Sequence, residues 1–363
     1  MDEKLPIALD AMGGDNAPRE IVRGAALAAR QLGVRVALVG RRDDIERELA
    51  VLPAEGAESR GSLEVVEASQ VVAMDEHPAQ AVRAKKDSSV VVACRLIAEG
   101  RARAAVSAGN SGAVLAAALF AVRRVPGIAR PAIGTSMPTA RGQCFVLDVG
   151  ANTDCRPEWL AQFALMGSVY ARTMMGVANP AVALLSNGEE EGKGSELVKA
   201  AMPLLRAAPI RYVGNVEGKD IFAGAADVVV TDGFTGNIAL KTAEGVAEFL
   251  FSAISTQARA SLSGRIGGLL LKPKLRPIRD RVDYRRTGGA LLLGVAGEVV
   301  IAHGRSDAVA IMNALRVADA ASVSDVHGTI ARELGGLAAH DGGGDAVEDA
   351  VGASTNSEVG TAR

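Results

Sequence analysis

Short apolar runs alternate with polar, glycine-rich breaks along most of the chain, and a stretch of helical spacing follows nearly every break. Strand character covers residues 7–9, 34–39, 63–66, 104–106, 144–147, 182–185, 212–213 and 228–230. These runs are brief, apolar at consecutive positions and bounded by turn residues, as strands covered on both faces of a parallel sheet are. Helical spacing occupies residues 18–32, where Ile21, Val22, Ala25, Ala28 and Leu32 share one face and Pro18 stands near the start. It recurs at 88–99, 157–175, 196–205 and 236–251. The alternation predicts a doubly wound α/β domain on a mostly parallel sheet.

Five of the breaks share a chemistry. They read IALDAMGGDNAP (7–18), AAVSAGNSGA (104–113), FVLDVGANTD (145–154), ALLSNGEEEGKGS (183–195) and VVVTDGFTGN (228–237). A strand that breaks into such a turn and then a helix is the βα half of a crossover unit. In parallel sheets these turns gather at the carboxyl edge, where ligands bind. Five polar turns on one edge predict an anion pocket and make the chain an enzyme candidate.

Two segments leave the pattern. Residues 259–286 carry nine Lys/Arg against Asp280 and Asp283, a local charge of +7, together with Leu262, Ile266, Leu269, Leu270, Leu271 and Leu275. Basic, leucine-bearing sequence suits contact with an anionic surface or an acidic carrier protein, through Arg265, Leu269, Leu270, Leu271, Lys272 and Lys274. It equally suits an amphipathic interface helix with a solvated basic face. From about Asp341 periodicity stops, and the expected organisation is one folded unit, 1–338, with a disordered acidic tail, 339–363.

Composition narrows the classes. With 363 residues, 48% apolar, the chain can bury a large core, but only 3% are aromatic, so that core rests on Ala, Val, Leu and Ile. A net charge of −2 offers no general attraction to nucleic acid. Cys94, Cys144 and Cys155 are odd in number and form no CxxC pair, against a disulfide framework or zinc site and in keeping with a reducing compartment. The start lacks the apolar core of a signal peptide, and residues 113–122 fall short of the ~20 needed to span a bilayer. A cytoplasmic protein is expected.

The turn 186–194 sets Lys193 among Gly188, Gly192 and Gly194. Glycine-turn N–H groups ahead of a helix hold anions, and a lysine adds a point charge. The spacing is not that of a P-loop, and the turn also reads as a charged surface loop. Asn110 and Ser111 could likewise open a helix onto a phosphate, with Ser111 as a plain N-cap. Asp10, Asp148 and Asp232, each at a strand end, suit capping, metal binding or the positioning of donors. His303, ahead of Gly304-Arg305-Ser306-Asp307, is the one histidine in a turn of this character. No nucleophile elbow or Cys–His pairing is present, which favours a reaction in which the bound anion is itself the nucleophile.

Taken in order, ALDAMGGDNAP, KKDSS (85–89), SAGNSGA, LDVGAN, GEEEGKG, GNVEGKD (214–220), DGFTGN with Lys241 following, GGALLLG and AHG make the chain resemble the bacterial phosphate acyltransferases of phospholipid synthesis, the PlsX family, from about Leu5 to Leu334. One departure is Ser186-Asn187, where the family pattern has Asn-Ile. The resemblance implies transfer of a fatty acyl group from acyl carrier protein to inorganic phosphate, with no cofactor and no metal, and an acyl phosphate product passed to a membrane glycerol-3-phosphate acyltransferase. It also implies a homodimer, a three-layer α/β/α fold like that of isocitrate and isopropylmalate dehydrogenases, and peripheral association with the inner face of the plasma membrane. On this reading Gly13, Gly14, Asn110 and Ser111 hold phosphate, with Asp10, Gly188 and Glu189 also at the substrate. Lys193 bridges phosphate and oxyanion, while Asn237 and His303 polarise the carbonyl or protonate the leaving sulfur. Two other readings share the architecture or the surface: a metal- and nicotinamide-dependent decarboxylating dehydrogenase, and a non-catalytic lipid-surface scaffold.

Overall fold

The computed structural model describes residues 5–52 and 61–340; of the expected tail, 339–363, Ala339 and His340 instead close the last helix, and residues from 341 onward lie outside the described residues. The strands are β1 (Ile7–Asp10), β2 (Val36–Gly40), β3 (Leu63–Glu67), β4 (Ala104–Ser107), β5 (Ala132–Thr139), β6 (Gly142–Leu147), β7 (Ala181–Leu185), β8 (Arg211–Val216), β9 (Val228–Val230), β10 (Ala290–Leu293) and β11 (Glu298–Ile301). They form an 11-stranded sheet in the order β3-β2-β1-β4-β11-β10-β5-β6-β9-β7-β8. The helices that follow them are α1 (Arg19–Leu32), α2 (Arg42–Ala50), α3 (Pro78–Ala84), α4 (Ser89–Ala98), α5 (Ser111–Ala121), α6 (Pro157–Met174), α7 (Glu196–Ala207), α8 (Gly218–Ala223), α9 (Gly233–Arg259), α10 (Leu262–Val282), α11 (Tyr284–Thr287), α12 (Ala308–Val323) and α13 (Val326–His340).

Side chains alternate across a pleated strand, and here both faces are apolar. Ile7, Leu9, Val106, Leu147, Leu184 and Val230 enter one core with α1, α6, α7, α12 and α13. Val146, Ala183, Val229, Leu292 and Val299 face the other way, toward α3, α4, α5 and α8. The result is a sheet sandwiched between two helical layers. That burial on both faces is why the strands read as unbroken apolar runs.

The sheet departs from a single parallel array at its centre. β3, β2, β1, β4 and β11 run together, and β6, β9, β7 and β8 run together. Three antiparallel pairings, β11–β10, β10–β5 and β5–β6, join the two groups, so they run in opposite senses. The register then places Leu9, Val106, Val300, Leu291, Gly134, Leu147, Val230 and Leu184 on one row across the sheet. In β1, β4 and β11 that row holds the next-to-last residue, and in β6 and β9 the last. Opposed strands would ordinarily send their carboxyl ends to opposite edges. Here the halves are staggered by about a strand length, and both sets of carboxyl ends stop at the same level.

β5, β10 and β11 are absent from the strand runs expected from sequence. β5 contains Gly134 and Pro138, which weaken a strand pattern. Gly134 is needed there: a Cβ at this position would stand 2.1 Å from Cζ of Phe145, whose ring stacks on Tyr170 at 3.7 Å between centroids. β10 and β11 are four residues each, separated by a short turn, too brief for periodicity to register.

Glu298, only 2% exposed at the start of β11, accepts both the backbone N–H and Nδ1–H of His327 at 2.9 Å. The hydrogen bond to Glu298 holds the His327 imidazole above the usual histidine range, against the opposing effect of burial. A raised pKa in the folded state means that the native protein binds this proton more tightly than the unfolded chain does. The stabilisation is fully present below the ordinary histidine value of about 6.5 and is lost as pH rises through the higher folded value. Because His327 is partly exposed, screening keeps the effect to about 1 kcal/mol or less. Denaturant melts of the protein and of His327→Gln from acid to mildly alkaline pH should show the gap between them closing as pH rises; a gap that widens would exclude this linkage.

Candidate functional site

Three clusters form where the carboxyl ends converge. In the first, β1 ends in Asp10, whose carboxylate is 2% exposed. Its oxygens accept Met12 N–H at 3.1 Å and Ser107 Oγ–H at 2.7 Å, with further bonds from Ser89 and the Gly13 amide. Burial pushes this carboxyl above the usual carboxylate range, and the four bonds pull against that. Ser107 Oγ in turn accepts Gly109 N–H at 3.1 Å. Asp10 therefore ties the turns after β1 and β4 together from beneath and does not itself face the solvent side. Gly13 is pressed into this knot: a Cβ would lie 2.5 Å from Asp10 Oδ2 and 2.8 Å from Gly109 N. Gly14 takes the left-handed φ of 103°, and Asp15 N–H donates to Gly304 O at 2.8 Å. That bond draws the His303 turn, after β11, to the same place.

Asn110 takes the N-cap position expected of Ser111. Its Oδ1 accepts Ala113 N–H at 3.1 Å, while its Nδ2 donates to Met74 O at 2.9 Å. Both ends of the amide are thus engaged in shaping the turn. What remains to meet an anion is the backbone N–H at the start of α5, with the exposed Ser111 hydroxyl beside it.

The second cluster is built on Asp148, fully buried just past the end of β6. Oδ1 accepts the N–H groups of Ile133, Gly150 and Ala151 at 2.9–3.1 Å, and Oδ2 accepts Asn152 N–H and Nδ2–H at 2.8 and 2.9 Å. Burial again raises the carboxyl against these bonds. Asp232 caps α9 by accepting Thr235 N–H at 2.8 Å. The first turn of α9 lies directly on the Asp148 turn, since a Cβ on Gly236 would fall 1.9 Å from Asp148 O. Asn237, next in that helix, is exposed and abuts Gly150.

The third cluster follows β7. Asn187 Oδ1 accepts Gly194 N–H at 2.8 Å and closes the loop, and Ser195 caps α7. The Lys193 stem folds over Gly188, where a Cβ would meet its Cγ at 2.6 Å. The Lys193 side chain is exposed and its ammonium enters no ion pair among the described residues, whereas Glu191 in the same loop pairs with Arg206. Glu189 is exposed, near enough to Lys219 to act on its charge. The Ser186 hydroxyl is buried and has no hydrogen-bond partner among the described residues.

Asn237 and His303, distant in sequence, are linked by α9. One turn after Asn237, Lys241 brings Nζ to 3.5 Å from His303 Nε2, and Glu248 further along pairs with Arg305 at 3.6 Å. The Lys193 loop stands apart from both, with no hydrogen bond or ion pair to either cluster among the described residues. Sequence reasoning left Lys241 without a role, although its place four residues after Asn237 puts the two on one helix face. Among the described residues no three His, Cys, Asp or Glu side chains are grouped to hold a metal ion.

Residues 5–328 match the family model described as fatty acid synthesis protein. The chain is 54% identical to a phosphate acyltransferase from Heliobacterium modesticaldum over 86% of its own length and 93% of the relative's. Among solved structures it is similar to EutD phosphotransacetylase from Staphylococcus aureus, with TM-score 0.58 at 17% identity over 88% of this chain and 94% of that one. It is also similar to 4-hydroxythreonine-4-phosphate dehydrogenase from Klebsiella pneumoniae, with TM-score 0.50 at 16% identity over 90% and 98%. At such identities the structural likeness concerns the fold alone.

The buried carboxylates set the tolerance of the site to change. In Asp148→Asn one of the two acceptor oxygens becomes an NH₂ group, which must confront N–H donors from Ile133, Gly150 and Ala151 or from Asn152. A buried donor left unsatisfied costs about 1–3 kcal/mol, so urea melts should show a loss of that order. An unchanged midpoint would mean that the carboxylate is not what holds the turn.

Proposed function

The chain belongs to the phosphate acyltransferase family and is an acyltransferase of phospholipid synthesis, and we propose that its three clusters divide the transfer of an acyl group from acyl carrier protein to inorganic phosphate. The observation that carries this reading is the near full-length match to phosphate acyltransferases. The convergence of both sets of carboxyl ends on one row supports it, because it provides donors on two sides of a reacting pair.

The chemistry asks little of acid–base groups. Inorganic phosphate is anionic at neutral pH and attacks the thioester carbonyl through one oxygen. A C–O bond forms, the C–S bond breaks, and sulfur leaves with the electron pair as a thiol of pKa about 8.5 once protonated. The proton carried by the phosphate balances the departing sulfur. The protein's tasks are to hold the anion, align it and stabilise the oxyanion. The Gly13-Gly14 turn and the N-terminus of α5 at Asn110-Ser111 hold phosphate, with Asp10 beneath as a positioning residue. Lys193, over Gly188 and beside Glu189, bridges phosphate and oxyanion. Asn237 and His303 address the carbonyl.

Residues 1–338 act as one catalytic unit, of the architecture shared with isocitrate and isopropylmalate dehydrogenases, and as a homodimer. α10 supports a peripheral role at the inner face of the plasma membrane: Leu269, Leu270 and Leu271 are 72%, 73% and 55% exposed, with Arg265, Lys272 and Lys274 on the same helix. No helix among the described residues is long and apolar enough to cross a membrane. Lipid phosphates would meet the cations while the leucines enter the headgroup boundary. From there the acyl phosphate reaches a membrane glycerol-3-phosphate acyltransferase.

The test is incubation with acyl-acyl carrier protein and labelled phosphate, with acyl phosphate as readout. Lys193→Ala should lower turnover by about 10²–10³-fold with an unchanged melting curve, since the side chain is exposed and enters no ion pair among the described residues. Turnover near that of the native chain would remove Lys193 from the mechanism, and no acyl phosphate from the native chain would end the reading. Replacing Leu269, Leu270 and Leu271 with serine should release the protein from anionic vesicles in flotation assays; retention would make α10 an interface helix between copies.

A further inference from the structure

His303 and Lys241 face each other without being able to bond. His303 Nδ1 accepts the Arg305 backbone N–H at 3.1 Å, so the neutral imidazole carries its proton on Nε2. That nitrogen lies 3.5 Å from Lys241 Nζ. An ammonium has three N–H groups and no lone pair, so both facing atoms are donors. Burial first, and the lysine's charge second, hold the imidazole below the usual histidine range, which keeps this tautomer at neutral pH. Two donors side by side suit one oxygen carrying negative charge, which accepts from both.

The surroundings fix the pair in place. Glu244 Oε2 accepts from Lys241 Nζ at 2.8 Å and steadies it on α9. Asn237 stands one turn earlier on the same face, against the Asp148 turn. On the other side, Gly304 is bonded to Asp15, so the His303 turn is tied to the glycine turn after β1. The two donors therefore come from opposite halves of the sheet and meet where the carboxyl ends converge.

We propose that Lys241 and His303 form a two-donor clamp for one oxyanion of the reaction, which makes Lys241 a further catalytic residue. The clamp rests on the acyl-transfer reading above. Two oxygens have the required chemistry: an oxygen of inorganic phosphate, or the thioester carbonyl oxygen as attack by phosphate places charge on it. The clamp exchanges no atoms with either. His303 serves in it as a neutral donor, and the leaving sulfur takes its proton from phosphate.

The test uses the full chain with acyl-acyl carrier protein and inorganic phosphate, on Lys241→Gln, Lys241→Arg, His303→Ala and the Lys241→Gln/His303→Ala double variant. Lys241→Gln should lose on the order of 10²-fold in kcat/KM, and Lys241→Arg should recover much of it. Because both side chains serve one oxygen, the double variant should lose little more than the worse single one. If the oxygen belongs to phosphate, KM for phosphate rises and calorimetric titration with inorganic phosphate weakens. If it is the carbonyl oxygen, kcat falls while phosphate binding stays. Either pattern supports the clamp. Lys241→Gln within about twofold of the native chain on every measure, or losses that multiply in the double variant, would overturn it. Thermal melts monitor folding, and His303→Gln, which keeps an amide N–H, replaces His303→Ala if that variant unfolds. Should the native chain form no acyl phosphate, the functional reading fails separately. Calorimetry with inorganic phosphate then decides the clamp alone: weaker binding by Lys241→Gln upholds it, and unchanged binding rejects it.

Discussion

Everything at the site depends on the reversal of strand direction at β10 and β5. A uniformly parallel sheet would place all its βα turns along one edge, where each ligand meets donors from one side only. Three antiparallel pairings in the middle of the sheet turn one half over. The register at Leu291–Gly134 and Gly134–Leu147 sets the stagger. Gly134 is the tight point, since the Phe145 ring occupies the space that any side chain there would need. The packing of one aromatic ring against one strand thus bears on where the turns after β1, β4, β6, β9 and β11 end relative to each other.

The turns are held by buried carboxylates, a costly choice in a low-dielectric interior. Asp10 and Asp148 are each raised by burial and each opposed by several N–H or O–H donors. A carboxylate supplies up to four acceptor sites in a small volume, so one side chain can gather several turn amides that would otherwise be unpaired. Consuming those amides from beneath leaves the remaining ones directed outward. The acids therefore act as supports for the anion site, and their negative charge stays behind a layer of donors.

Much of this was legible in the sequence, and the part that was not has a physical cause. Runs such as residues 145–147 and 228–230 read as buried strands because both faces are covered, and the five glycine-rich breaks lie at strand ends as expected. Direction was not legible: a four-residue strand buried on both faces has the same composition whichever way it runs. β10 and β11 fell below the length at which alternation is recognisable, and β5 was disguised by Gly134 and Pro138. Among the site residues, Asn110 and Ser111 were placed in the right turn, but which of them caps α5 depends on the exact position of the first helical amide. Lys241 was visible only as part of a motif, because its contact with His303 spans 62 positions and depends on the stagger of the sheet.

The distribution of charge follows from the same geometry. An anion site needs fixed positive potential, yet a buried cation without a counterion is expensive. The protein places backbone N–H groups and helix N-termini at depth, where partial charges incur little desolvation, and keeps its lysine cations outside. Lys193 and Lys241 are both exposed, on the turn and helix that follow neighbouring strands of one half of the sheet. In the Lys193 loop Glu191 pairs with Arg206, while Glu244 accepts from Lys241 Nζ and its charge also acts on His303. His303 completes the set as a neutral donor, because its own burial and, after that, the nearby lysine disfavour a second full charge. With the cations at the rim and backbone dipoles between them and the buried carboxylates, an incoming anion is first attracted by charge and then held by geometry, which is the order that a reaction between a bound phosphate and a carrier-borne thioester requires.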